Sequence, residues 1–551
     1  MSKRHHELQR QRDASHHHPP RAHGLTGTLY RWGFMVVFLV AAGLSFDCVF
    51  DDCGGGEKSA GPTLVVARAR DATTLDPARA TDVDSADVLF QIFETLVTYP
   101  PDSFDVQPCL AVRWQKSTDL KTWTFHLRKD VKFHDGSHMD ADAVVYSFDR
   151  QRQGGVRQAE FFYWNGYYGD IIKDVKKTGR YRVKFELTRP FAPFLASLAM
   201  FPVSIVSPKS CRKLGDRFAQ QPVGTGPFKF VAWDRSAGRI KMRRFDDYWG
   251  PRSSIEKLVF RRITDSRQRV LALQSGAAHV IRNVDPWALQ MVRLHPDLRV
   301  SITRGNTVGF LALNTQKPPF NNPTVRWAVN RAIRKHVFVK LIYQGLAEPA
   351  IGPLPPVFDW AYNKKIKTYP YDEKRARREL AATGYKDDPA TRPKLYVMDT
   401  PRPYIPRPVM ASHLIARDLE EIGMPVDLVV QPFKKHKESI TRGDHHLAMY
   451  GWVGDNGDPD NFLSTLLGPK SPLNISFWRH SEYARLVEAA RETRKKSSRA
   501  RYYKKAQKIF ANQAPWIPLA HTKMVVALRR DVQNFELGPT SILSLKGVSL
   551  K

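Results

Sequence analysis

Cysteine is scarce in this chain, with four among 551 residues. That excludes a disulfide-built scaffold, and the lack of any Cys-x-x-Cys pair removes structural zinc ligation and dithiol redox chemistry. Acidic residues are also under-supplied: 54 Asp+Glu face 86 Lys+Arg, a formal net charge of +32. No apolar run is long enough to span a bilayer, which takes about 20 residues. The uncharged stretch Gly33–Phe46 is fourteen residues, and later apolar stretches are shorter and interrupted. Nucleophile elbow, paired-carboxylate motif and His-Glu-x-x-His are all missing, and Gly224-Thr225-Gly226 lacks the Lys-Ser/Thr of a phosphate loop. Catalysis is therefore not expected. What is present is a globular composition, 42% hydrophobic and 11% aromatic, with 38 Pro and 33 Gly scattered without period. Such a chain offsets its ordering entropy by burial and is not fibrous. At roughly 100–200 residues per domain, its length implies two to four domains.

The charge is not a detachable tail. Residues 1–32 carry a net +4 and residues 33–62 a net −3, so +31 belongs to residues 63–551. Basic pairs such as Arg243-Arg244, Arg261-Arg262, Lys434-Lys435 and Lys495-Lys496 are spread along that length. A dispersed solvated surface is expected, with no nucleic-acid partner. Arg31 followed by the Gly33–Phe46 stretch and Ala41-Ala42-Gly43 reads as an export signal with a small-residue cleavage site. Its long polar leader leaves two alternatives, a misplaced start codon or an uncleaved anchor. Cys48 and Cys53 are candidate lipidation sites, Cys53 with the spacer Gly54-Gly55-Gly56, although each follows an aspartate. Residues 1–62 are assigned to signal or anchor segment and linker. Cys109 and Cys211 are expected to be able to bridge in an oxidising compartment.

From Thr63 onward, short β-rich runs alternate with helical stretches. Leu64–Ala67, Thr122–Leu127, Arg180–Leu187 and Arg239–Arg244 read as strands. Helices are expected over Ser85–Val97, Asp140–Arg150 from an acidic cap, Asn322–Tyr343 opened by Asn322-Pro323, and Ala411–Ile422 closed by Gly423. Two charged amphipathic helices are expected within Tyr483–Ala514. Strands and helices intermix throughout, which makes the class α/β with several lobes.

Seven blocks then carry a family resemblance. They are Ala72–Thr98, a block from Leu110 that includes the Phe133-His134-Asp135-Gly136 turn, Pro222–Val231, Asn314–Tyr343, Gly352–Pro356, Gly451–Phe462 and a block from Arg501. Together, and in this order, they resemble the family 5 extracytoplasmic solute-binding proteins of ATP-driven importers, the oligopeptide- and dipeptide-binding group. The similarity runs from about residue 63 to the C-terminus. Pro401-Arg402-Pro403-Tyr404 with Gly451-Trp452 and Asp455 most resembles the dipeptide-binding branch.

The resemblance implies a type II periplasmic-binding-protein-like fold, two α/β lobes joined by crossing hinge strands, plus an extra domain. On that pattern lobe I comprises 63–79, 230–307 and 526–551, the extra domain 80–229, and lobe II 308–525. It also implies a non-enzymatic importer component, located in the periplasm or on the outer face of the cytoplasmic membrane if anchored. Its partners would be a peptide ligand and the permease subunits with their ATPases; the chain itself would be a monomer without cofactor. Glutathione, haem, nickel or a sugar are alternative cargoes. Arg402 matches the family's carboxylate-binding arginine and Asp455 its ammonium-binding aspartate. Tyr404, Trp452 and Gly451 would line the cleft. The physical demand agrees: a free peptide always offers one ammonium and one carboxylate, and burying either requires an opposite charge. A guanidinium fork suits the carboxylate. Asp458 and Asp460 are taken as structural. His134 and His138 with Asp135 and Asp140 superficially suggest zinc but lie in the family's turn block; His445-His446 and the N-terminal histidines are adventitious nickel binders at most. An EF-hand over Asn456–Asp460 fails, since Asn461 replaces the glycine and Leu467 the glutamate.

Overall fold

The computed structural model describes residues 61–551 apart from 155–158, 539 and 541. The signal or anchor segment and both candidate lipidation cysteines, Cys48 and Cys53, lie outside the described residues. Among the described residues, no helix is long and apolar enough to cross a membrane.

The apolar run at the start becomes the strand Thr63–Arg68, parallel to Lys257–Arg262 and to Val280–Ile281. Leu64 to Ala67 are buried, as a strand covered on both faces requires. Arg239–Arg244 and Phe228–Asp234 extend this part of the sheet antiparallel to its edge. A second part is built on Thr307–Leu313, antiparallel to Leu447–Val453, with Lys394–Met398 and Asp427–Gln431 parallel beyond it. One long strand, Trp516–Arg529, belongs to both. Its first half pairs with Thr307–Leu313 and its second with Leu298–Arg304. The chain thus crosses between the two parts at 304–307 and again at 521–523. There the His521 imidazole bonds the Thr307 carbonyl at 2.9 Å, and the Thr307 and Thr522 hydroxyls meet.

A separate antiparallel sheet is ordered Ala111–Lys116, Thr122–Leu127, Arg182–Leu187, Ile172–Gly179. Trp123, Phe125 and Leu127 alternate inward, and the helix Ala141–Arg152 covers that face. The apolar core falls into two clusters. One gathers side chains between Leu64 and Val280 together with Val526–Val548; the other runs from Val308 to Ala520.

Local signals account for many boundaries. Asp140 accepts from the amides of Asp142 and Ala143, and Asn322 from that of Thr324 with Pro323 in the first turn. Gly423 supplies the positive φ, +85°, that follows the helix Pro408–Glu420. Two helical expectations change. The helix expected over Ser85–Val97 is Val83–Ile92, because residues 95–96 leave it for backbone bonds with 109–111. The helix expected over Asn322–Tyr343 is two, Pro323–Ala332 and Lys335–Tyr343. The break lies at Arg334, whose amide and guanidinium both donate to Asp418. The disulfide expectation is corrected as well: Cys109 and Cys211 are both free. The Cys109 thiol lies 3.8 Å from Glu94, whereas the Cys211 sulfur sits 3.7 Å from the Arg150 guanidinium.

Candidate functional site

The strand Leu447–Val453 ends at the crossing, where Val453 pairs with Thr307. The Gly454 amide then donates to the Asn306 carbonyl, the Asn306 side-chain amide donates back to the Gly454 carbonyl, and the chain turns into a loop that leads to the helix Asp460–Leu463. This loop presents three carboxylates. Asp458 bonds the buried Arg499 guanidinium at 2.7 Å and Asp460 bonds Arg491 at 2.7 Å, so both are spent in the scaffold. Asp455 is different: among the described residues it has no cationic partner. Its Oδ1 accepts from the Tyr163 hydroxyl at 3.0 Å and its Oδ2 from the Asn461 amide at 3.3 Å. Asn461 Oδ1 in turn accepts from the Asp455 backbone amide and the Trp452 indole, each at 2.9 Å. Burial pushes the Asp455 carboxyl up to about 6, while the Tyr163 and Asn461 hydrogen bonds pull it down. A desolvated carboxylate with neutral donors and no cation can accept one.

Arg402 sits in a tight turn closed by reciprocal backbone bonds with Ile405, at 3.1 and 3.0 Å. Its guanidinium stacks 4.1 Å from the Phe433 ring, and its buried Nε has no acceptor. Among the described residues, no acidic group pairs with it. The turn is pinned by Tyr404, buried with its carbonyl accepting from Tyr343 at 2.6 Å. The Tyr404 ring lies on Gly451, where an added Cβ would stand 2.4 Å from the ring and 2.6 Å from the Val308 carbonyl. Gly451 is thus the contact that joins the Arg402 turn to the strand leading into Asp455. Tyr404 packs as a wall behind the site, and Trp452 is half-buried with its indole N–H committed to Asn461.

Residues from the first part of the chain reach the same loop and its neighbours. Tyr99 accepts from the Gly457 amide at 2.9 Å, and Phe104 stacks on Phe358 at 5.0 Å. Arg189 pairs with Glu488 at 2.7 Å, and Lys437 lies 5.6 Å over the Phe162 ring. Sequence reasoning missed Tyr163, Asn461, Phe433 and Tyr99. Tyr163 is 292 residues from Asp455, and no local pattern marks it. His134 bonds the Gly226 carbonyl at 2.9 Å and His445 the Ile475 carbonyl at 2.9 Å. Among the described residues, no group of three His, Cys, Asp or Glu gathers as metal ligands.

The family model described as bacterial extracellular solute-binding proteins, family 5 Middle, matches residues 105–473. The chain belongs to this family. Its members bind solutes and are not enzymes, and the two-part sheet with a shared crossing strand is their type II periplasmic-binding fold. Among relatives, the chain is 34% identical over 479 residues to heme-binding protein A of Haemophilus influenzae, covering 84% of this chain and 87% of that one. It is 32% identical over 480 residues to the dipeptide-binding protein of Escherichia coli, covering 84% and 89%. Among solved structures, the periplasmic binding protein DppA from Helicobacter pylori, in complex with the peptide STSA, superposes with a TM-score of 0.76 at 33% identity, covering 89% of this chain and 98% of that one.

Proposed function

We propose that this family member is the extracytoplasmic capture component of an ABC importer, and that its cargo is di- or oligopeptides held by their two terminal charges. The observation that carries the cargo is the pair of unspent charges, Asp455 and Arg402, on elements joined through Gly451 and Tyr404. An ammonium on Asp455 offsets the cost of its burial, and a carboxylate on Arg402 supplies the acceptor that Nε lacks. The peptide-named relative and the peptide-bound DppA structure support the same reading. The sheet part built on 308–525 would act as one lobe and the remainder as the other, with the extra sheet inside 80–229 riding on the latter. Binding then shifts an open–closed equilibrium by adding contacts present only in the closed form, and the permease with its ATPases would engage that form. The chain would work as a monomer in the periplasm, or on the outer face of the cytoplasmic membrane if its N-terminal segment anchors it.

Haem is the second reading, favoured by the heme-named relative. Haem carries two carboxylates and no ammonium, so it offers Asp455 no counterpart to a peptide's amino terminus. A thermal-shift panel separates the cargoes, with di- and tripeptides, their N-acetylated and C-amidated forms, glutathione, haem, nickel and sugars as its arms. A peptide at 100 times its Kd should add about 2.7 kcal/mol of stability. Acetylation and amidation should each reduce that gain. No response to any peptide, with a response to haem, nickel or a sugar, would overturn the cargo.

A further inference from the structure

Apart from the cleft, the part of the molecule built on the second core holds a pocket of about 570 Å³. It lies between the start of the helix Lys335–Tyr343, the end of the strand Ala347–Pro349, the loop 367–371 and the junction from the helix Lys496–Gln513 to the strand Trp516–Arg529. None of Arg402, Tyr404, Gly451, Trp452 or Asp455 lines it. Its size is that of a small-molecule site.

The lining is mostly apolar, with Ile333, Val337, Ile351, Phe510 and Trp516 prominent, and it includes no acidic residue. Trp516 is held rigidly, stacked on Phe310 with ring centres 3.8 Å apart and planes 4° apart. The basic groups of the lining are not equivalent. Arg334 is spent on Asp418 and Glu421. Lys367 lies over the Trp327 and Tyr369 rings, at 4.6 and 5.0 Å. The Lys335 ammonium makes no ion pair and no hydrogen bond among the described residues, and burial alone pushes it down to about 8. A second donor is also unspent: the Trp516 indole N–H is buried without an acceptor. These two donors without a protein partner, one cationic, outnumber the single unsatisfied acceptor of the lining, Asn330 Oδ1, and no carboxylate competes for them, so the complementary ligand carries an anionic head group.

We propose that this pocket binds a small amphipathic carboxylate, with its apolar body against Trp516, Phe510 and Ile351 and its head group on Lys335. Decanoate, below its micellar concentration, is the probe, with decan-1-ol as the uncharged control, titrated calorimetrically into the full chain. Decanoate should bind one to one and more tightly than decan-1-ol. Lys335→Gln should weaken decanoate on the order of tenfold, the effect of losing one charged hydrogen bond, and leave decan-1-ol unchanged. Lys335→Arg should restore most of the affinity. Asp455→Asn should leave decanoate untouched, which keeps this site separate from the peptide cleft, and a retained peptide response in Lys335→Gln checks its fold. Absent decanoate binding, equal binding of acid and alcohol, an unaffected Lys335→Gln variant, or displacement of decanoate by peptide would each overturn the proposal.

Discussion

At the scale of single residues, the proposed ammonium site turns on the protonation of Asp455. An ordinary aspartate titrates near 4, whereas burial holds this one at about 6. A peptide α-ammonium titrates near 8 and remains charged across the interval in which Asp455 loses its charge. Affinity for free-amine peptides should therefore fall as pH drops through 6, approaching tenfold per pH unit below it, while N-acetylated peptides show no such step. The fold responds with the opposite sign. A raised folded-state pKa means that the contribution of Asp455 to stability is full below its unfolded value and is lost as pH rises through 6. Acidification thus favours the free chain and disfavours the complex. Tyr163→Phe removes one of the two hydrogen bonds that pull the pKa down, so it should move the binding midpoint to higher pH. Calorimetric titrations from pH 5 to 8 with both proteins measure this; a flat profile for a free-amine dipeptide would remove Asp455 from the ammonium site.

At the scale of elements, the decisive contact is the turn Arg402–Ile405 against the strand Leu447–Val453. Gly451→Ala would drive a methyl into both the Tyr404 ring and the Val308 carbonyl. The backbone oxygen cannot yield alone, so the turn must move. Overpacking of this kind costs about 1–3 kcal/mol, which a urea titration would read. Because the turn carries Arg402, peptides with a free carboxylate should lose more affinity than their amidated forms. Equal loss for both would separate Gly451 from the carboxylate site. The same elements mark what a sequence can disclose. Period-two runs and caps at Asp140 and Asn322-Pro323 act within a few residues, and the elements they open start where expected, although the helix from Pro323 ends at Ala332. The break at Arg334 depends on Asp418, 84 positions away, and the donor to Asp455 is Tyr163, 292 positions away. Arg402 between two prolines has no local signature of binding, and it was identifiable only through its family segment. The absence of a Cys109–Cys211 bond likewise follows from the three-dimensional neighbours of each thiol, which spacing does not encode.

At the scale of the molecule, the charge of +32 bears on encounter rather than on the fold. Of the buried arginines, Arg499 is matched by Asp458 and Arg282 by Asp87, while Arg269 and Arg326 donate to backbone carbonyls; few basic residues are buried at all, so most of the excess resides on the exterior. A positive exterior raises the local concentration of anions over distances comparable to the Debye length, about 10 Å at 0.1 M salt and about 3 Å at 1 M. Such a field acts on the approach of a peptide, whereas short contacts at the proposed anchors Asp455 and Arg402 would govern its escape. For peptides of equal length, one bearing Asp or Glu side chains should associate faster than a neutral one, and one bearing Lys slower. The three rates should converge as salt approaches 1 M, with dissociation rates nearly constant. Stopped-flow tryptophan fluorescence across a salt series resolves the two rate constants. Association rates independent of salt for all three peptides would mean that the acidic residues near the cleft cancel the field locally, and the net charge would then have no part in capture.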